Sequence, residues 1–194
     1  WRDLDRHQRR AIVEDEPGTT RDRGSLLISP DRSRALFSKG PNLWVRDLVS
    51  GKETALTSDG EPNYVYAGLP AAVGQVPQRP EAIWSPDSTR VFTAQVDDRQ
   101  VAELPFVDFA PANGSVRPTV RMVRGALSGD EHVTRFRMVV IDVKTGRQVG
   151  AHYPTIPVVR MYETPFGGGR AWWSADGATA YVVELERGER TARV

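Results

Sequence analysis

Serine, histidine and carboxylate side chains are all present in this 194-residue chain, so their spacing is the first thing to test for chemistry. A Ser-His-Asp triad needs its nucleophile on a strained turn, usually within Gly-x-Ser-x-Gly. That motif is absent. The nearest string, Gly125-Ala126-Leu127-Ser128-Gly129, has the wrong spacing and reads as an ordinary loop. His7, His132 and His152 form no His-Glu-x-x-His and no other ligand pair at helical spacing. Asp130-Glu131-His132 puts metal-binding side chains in a row, but no further ligand stands at a diagnostic offset, so a solvated loop is expected. Gly167-Gly168-Gly169 lacks the Lys-Ser/Thr and the strand–helix setting of a phosphate loop and reads as a flexible entry to a Trp172–Trp173 strand. Asn113-Gly114-Ser115 fits a glycosylation acceptor, but such triplets are frequent by chance. No catalytic residue, metal ligand or cofactor is expected within the chain.

Composition narrows the classes further. Apolar residues make up 39% and charged residues 26%, enough for a real core. Lys plus Arg number 26 against 25 Asp plus Glu, a net charge of +1. Counterion release needs a surplus of cations, so nucleic acid is not an expected partner. With no Cys, disulfides, thiolate zinc sites and a cysteine nucleophile are excluded. The longest apolar stretch, near 67–74, is interrupted by Pro70 and falls short of the roughly 20 residues of a membrane helix. No signal peptide is visible. A soluble chain is expected, cytoplasmic or periplasmic. Opening on Trp1 rather than Met, it reads as a segment of something longer.

The elements that would position any site are set by repeats. Ile28-Ser29-Pro30-Asp31, Trp84-Ser85-Pro86-Asp87 and Trp173-Ser174-Ala175-Asp176 answer one another, and each precedes a strand-like run. Pro presets φ, Asp bonds the backbone amides ahead, and a small or polar residue closes a hairpin turn. A second frame repeats twice: Leu43-Trp44-Val45-Arg46-Asp47-Leu48-Val49-Ser50-Gly51-Lys52 and Met138-Val139-Val140-Ile141-Asp142-Val143-Lys144-Thr145-Gly146-Arg147. Each is an alternating strand running into a tight turn. Together they spell a four-stranded unit with the grammar of a propeller blade. The expected fold is therefore all-β, a partial β-propeller. Trp44, Trp84, Trp172 and Trp173 lie in these strands and are expected to pack between blades rather than stack on a base or sugar.

Residues 1–24 read as a linker or the end of a preceding blade, and Leu4–Glu14 shows no clean cap or apolar face. Blades are expected at about 25–57, 80–150 and 160–194, with a loop over 58–79. Ser29 to Asp47 spans 18 residues, whereas Ser85 to Asp142 spans 57, so an excursion falls around 97–133 in the second unit.

The order of the second unit carries a resemblance. Leu56-Thr57-Ser58-Asp59-Gly60-Glu61-Pro62-Asn63-Tyr64-Val65-Tyr66 leads after a loop to Ile83-Trp84-Ser85-Pro86-Asp87-Ser88, then Val91–Val101, Pro118-Thr119-Val120-Arg121 and the strand ending at Asp142. This order resembles the N-terminal β-propeller of dipeptidyl peptidase IV-type serine peptidases in the prolyl oligopeptidase group. The resemblance implies about two and a half blades of an eight-bladed propeller. It also implies a C-terminal α/β-hydrolase domain, outside this chain, with a Ser-His-Asp triad. The segment would gate and select peptide substrates. Its implied partners are peptides, that hydrolase domain and, as a homodimer, a second copy; no membrane is implied. Tyr64, Tyr66, Ala67, Gly68 and Leu69 would form the substrate-facing loop. Members typically carry glutamates directly after the aromatic-Val-Tyr string to hold a substrate ammonium; here Ala67-Gly68-Leu69 follow, and Glu61, Glu81 and Glu131 are the candidate substitutes. The blade grammar alone also fits a non-catalytic, TolB-like binding module. Tryptophans alone support a carbohydrate-active propeller, the weakest of the three readings.

Overall fold

The computed structural model describes residues 25–74, 77, 79–111, 114, 116–157, 164–185 and 192–194. The expected linker 1–24, with His7 and the Leu4–Glu14 stretch, lies outside the described residues, as do Asn113 and Ser115. Among the described residues the architecture is all-β, with one 3-10 turn at Ala71–Val73 and no α-helix.

The first sheet is an antiparallel meander. β1 (Leu27–Ile28), β2 (Arg34–Lys39), β3 (Asn42–Asp47) and β4 (Glu53–Ala55) pair in chain order. The turn from β1 to β2 shows why Ser-x-Asp recurs. The Ser29 hydroxyl donates to the Asp31 carboxylate at 2.6 Å and accepts the Arg34 amide at 3.0 Å. Asp31 in turn accepts the Ser33 amide and hydroxyl. The same bonds recur around Ser85–Asp87, and around Ser174–Asp176 all but the last hydroxyl bond, since Ala178 has no hydroxyl. Each turn closes through a left-handed residue, Arg32, Ser88 or Gly177, with φ of 59°, 61° and 66°. Only glycine takes that conformation without strain, so the Ser–Asp bonds must hold Arg32 and Ser88 there. The second repeat is equally local. Asp47 accepts the amides of Val49 and Ser50, and Asp142 those of Lys144 and Thr145.

In the second sheet β5 (Tyr64–Tyr66) and β6 (Ala82–Trp84) share one edge of β7 (Arg90–Asp97). The loop expected over 58–79 is thus interrupted by a strand. β7 is eight residues long and β6 covers only one half of its edge, so the remaining backbone groups pair with β5. The excursion leaves at the end of β7, as its length required, and folds into a separate arm of β8 (Glu103–Asp108) and β9 (Thr119–Arg124). β10 (Arg135–Asp142) then returns along all of β7, and β11 (Gln148–Gly150) and β12 (Ile156–Pro157) pair with β10. A third unit begins with the hairpin of β13 (Ala171–Trp173) and β14 (Ala180–Val182). β15 (Glu184–Leu185) pairs with β16 (Ala192–Arg193).

The sheets stack face to face. Alternation along β7 sends Val91 toward the first sheet, where it joins Leu27, Leu36 and Val45. Phe92, Ala94 and Val96 point the other way, into a second core with Phe136, Met138 and Ala171. β7 is therefore buried along both faces. Trp84 and Trp173 fill these interfaces, and each indole N–H reaches the carbonyl of the preceding unit, Leu27 at 2.9 Å and Ile83 at 3.4 Å. Trp44 and Trp172 depart from the expected packing. Trp44 leans on Phe37 of its own sheet, with centroids 6.4 Å apart, and Trp172 stacks on Tyr181 at 5.6 Å with 41% of its surface exposed. Both sit one residue out of register with the interface-facing positions.

The turn aspartates make the stack acid-sensitive. The Ser29 hydroxyl and the Ser33 amide pull the Asp31 carboxyl down to about 2, and the matching groups lower Asp47, Asp87, Asp142 and Asp176. A depressed carboxyl stabilises the fold above its unfolded value, near 3.9, and loses that contribution as pH falls through its folded value. Melting temperature followed against pH is expected to hold steady down to about 4 and to fall between about 4 and 2. A melting temperature that stays flat through that window would contradict this assignment.

Candidate functional site

One end of the stack is compact and the other is elaborated. The β1–β2, β3–β4, β6–β7, β10–β11 and β13–β14 turns are all tight and lie at one end, as an antiparallel meander requires. The long connections leave elsewhere: the 56–63 linker, the arm, and a loop over 67–81 that departs from the inner edge between β5 and β6. Long loops on a rigid scaffold are where binding surfaces are built. The inner loop is pinched at its base, since Ala67 N–H donates to Ala94 C=O and Ala67 C=O accepts Glu81 N–H, both at 2.9 Å.

The five residues expected to face a substrate divide sharply. Tyr64 is half-buried beneath Arg99, whose guanidinium carbon lies 3.7 Å from the ring centroid. Arg99 also pairs with Asp97 at 2.8 Å and Glu61 at 3.0 Å. These carboxylates raise the Arg99 guanidinium, and the guanidinium lowers Asp97. Tyr66 is an interior residue, 1% exposed. Its hydroxyl meets Asp59 at 3.1 Å, Gln148 at 3.0 Å and Arg137 at 3.0 Å, and Arg137 also holds the buried Gln95. Burial, with Asp59 beside it, pushes the Tyr66 phenol up to about 12. Ala67 is fully buried at φ 49°, Gly68 is buried and Leu69 is half-buried.

The three candidate glutamates are also separated. Glu61 is spent on Arg99. Glu131 lines a small cavity with Asp97, His132 and Arg135. Glu81 accepts the Thr164 hydroxyl and the Gly167 amide. It lies on the wall of a cavity of about 510 Å3 at the inner edges of the first two sheets, with Leu27, Ile28, Ala82, Ile83 and Phe166. That volume is in the range of small-molecule sites, roughly 300–1,000 Å3. None of Tyr64, Tyr66, Ala67, Gly68 and Leu69 lines it.

One functional candidate had no signal in the sequence. Asp98, 1% exposed, accepts the Ala71 amide at 2.8 Å with one carboxylate oxygen and the Thr134 hydroxyl with the other. Its partners stand 27 and 36 residues away, so no motif marks it. Burial raises its carboxyl above the ordinary value. Asp130, by contrast, turns a carboxylate oxygen onto the Leu127 amide within its own loop. Among the described residues no group of three His, Asp or Glu could hold a metal ion. Among the described residues no helix is long and apolar enough to cross a membrane.

The stacked sheets define a repeat-built, propeller-like all-β class. Residues 3–194 match the family described as the dipeptidyl peptidase IV N-terminal region, and the chain belongs to that family. Two solved structures share its fold. Dipeptidyl peptidase 4 of Porphyromonas gingivalis superposes with a TM-score of 0.61 at 14% identity, covering 83% of this chain and 22% of that one. A candidate dipeptidyl aminopeptidase IV of Bacteroides ovatus gives 0.50 at 18% identity, covering 84% of this chain and 26% of that one. The chain thus spans about a quarter of the length of these structures.

Removing the Tyr66 hydroxyl is expected to take a buried partner from the half-buried Arg137 and Gln148 and from the exposed Asp59. Tyr66→Phe should cost about 1–3 kcal/mol of unfolding free energy, read from urea denaturation. A change within about 0.5 kcal/mol would show that the network carries no net stability.

Proposed function

We propose that this chain is the propeller segment of a serine exopeptidase of the dipeptidyl peptidase IV type. It supplies about two and a half blades of an eight-bladed propeller and gates and selects peptides for an α/β-hydrolase domain that follows it in the full-length protein. The observation that carries this reading is the family match over nearly the whole chain. The stacked meanders and the concentration of long loops at one side support it. In this reading the half-buried Tyr64 of β5 and Leu69 of the inner loop offer the side chains within reach of a peptide, and Tyr66, Ala67 and Gly68 hold the loop's base. One face of the arm exposes Val107, Val120 and Met122, an apolar surface that supports a second copy as a partner; the sedimentation coefficient of the full-length protein decides it.

The reading separates this chain from the full-length protein. The full-length protein is expected to hydrolyse Xaa-Pro or Xaa-Ala anilides, and the chain alone is not. A serine-directed fluorophosphonate should label the full-length protein outside residues 1–194. Labelling inside this segment would overturn the domain assignment, and no hydrolysis by the full-length protein would leave the binding-module reading in its place.

Specificity follows from the residues after Tyr66. Ala67-Gly68-Leu69 present no carboxylate, and a charge-assisted hydrogen bond is worth about 1.5–3 kcal/mol. Acetylating the N-terminus of one peptide should therefore lower kcat/KM by less than about a hundredfold. A larger loss would mean that another carboxylate holds the ammonium, and single substitutions of Glu61, Glu81 and Glu131 would find it.

A further inference from the structure

Four segments meet at Asp98. Its backbone amide donates to Asn63 C=O at 2.8 Å, at the end of the linker from the first sheet. Its own carbonyl accepts the amide of Val101, where the arm departs. Its carboxylate accepts the Ala71 amide in the inner loop and the Thr134 hydroxyl where the arm returns. The arm is drawn to the same point from its other strand, since Arg124 donates to Val101 C=O at 2.6 Å and pairs with Glu103 at 3.4 Å. The inner loop also packs on the arm. Gly125, just past β9, faces Ala72 with room for little more than a methyl group between them: a Cβ added there would lie 3.8 Å from that of Ala72.

A buried carboxylate without a directly bonded cation is an unfavourable group to keep. The Ala71 amide and the Thr134 hydroxyl are satisfied by it, and a backbone amide left unpaired in the interior has its own cost. The carboxylate ties the loop to the arm root directly, one oxygen on each. The 3-10 turn of the loop buries none of its own residues and has no side-chain cap, so its order rests on bonds to other segments.

We infer that Asp98 is a positioning residue that clamps the inner loop 67–74 to the root of the arm, so that the loop reaches a bound peptide in one fixed position. The inference rests on the reading above, in which this loop faces the substrate. Asp98 itself touches no substrate; it acts through Ala71 and Thr134.

The test uses the full-length protein with Asp98→Ala, Asp98→Asn and Thr134→Val, followed by hydrogen exchange and by peptide kinetics. In Asp98→Ala, exchange over 67–74 and the arm root is expected to rise at least about tenfold while β7 and β10 keep their protection. KM should rise by about fivefold or more with kcat within about twofold, because a loosened loop loses ground-state and transition-state binding alike. Asp98→Asn keeps a carbonyl oxygen for the Ala71 amide and should recover part of both effects. Thr134→Val removes one hydroxyl at constant shape and gives the same readouts if Asp98→Ala does not fold. Unchanged exchange over 67–74 in both Asp98→Ala and Thr134→Val would overturn the clamp. Raised exchange with unchanged KM would overturn its role toward the peptide. If the wild-type protein hydrolyses no peptide, the functional reading fails separately and exchange alone decides the clamp.

Discussion

The indole N–H of Trp84, donated across to the carbonyl of Leu27, is the bond on which the stacking of the sheets depends. An indole has one donor, and burying it at 8% exposure demands a partner. The partner it finds is the backbone of β1 in the preceding sheet, so the bond fixes how far and at what height one sheet sits on the next. Trp173 repeats the arrangement on Ile83. The adjoining turns are tied in the same row. Ser88 accepts the Asp31 amide at 3.1 Å, and Arg90 donates to Gly177 C=O at 2.7 Å. Gly177 itself lies against Pro86, where a Cβ would come within 3.2 Å of the ring. Each Ser-x-Asp turn therefore closes a hairpin and spaces two sheets at once.

That pitch dictates what lies between the sheets. Where the interface is apolar, Leu36, Val45, Val91 and Ile141 meet. Farther along, the same gap holds Tyr66, Gln95, Arg137 and Gln148, a polar cluster with its bonds almost entirely internal. The linker that crosses here has no slack. Gly60 donates to the Asn42 side chain at 3.0 Å, and a Cβ on it would stand 2.5 Å from Pro41 C=O. The first two sheets are thus set by one end through indole and turn contacts and by the other through the linker. The remaining long segments are free to elaborate: the inner loop, the arm, and the stretch before β13.

How legible this was depends on the range of each interaction. The Ser29, Ser85 and Ser174 turns, and those at Asp47 and Asp142, are complete within five or six residues, so residue types at fixed offsets spelled them out. The length of the excursion also located the arm. The strand at Tyr64–Tyr66 was hidden because its partners, Gln95 to Asp97, come some thirty residues later and its neighbours Ala67-Gly68 look like loop. Asp98, Gln95 and Arg137 were hidden for the same reason. Trp44 and Trp172 were misread because residue type was allowed to stand for position: a strand alternates faces, and a tryptophan one residue away from the Trp84 position points elsewhere.

The central claim is that the sheets form one stack with a fixed pitch set by Trp84. Spin labels on cysteines introduced at the exposed turn residues Val49 and Lys144 would report it, in a chain that has no cysteine of its own. These residues sit at matching places in the β3–β4 and β10–β11 turns. Pulsed dipolar spectroscopy should give one narrow distance distribution in the native chain and a broadened or shifted one in Trp84→Phe, which keeps the ring but loses the donor. A distribution that is broad from the outset, or one that Trp84→Phe leaves untouched, would contradict the account.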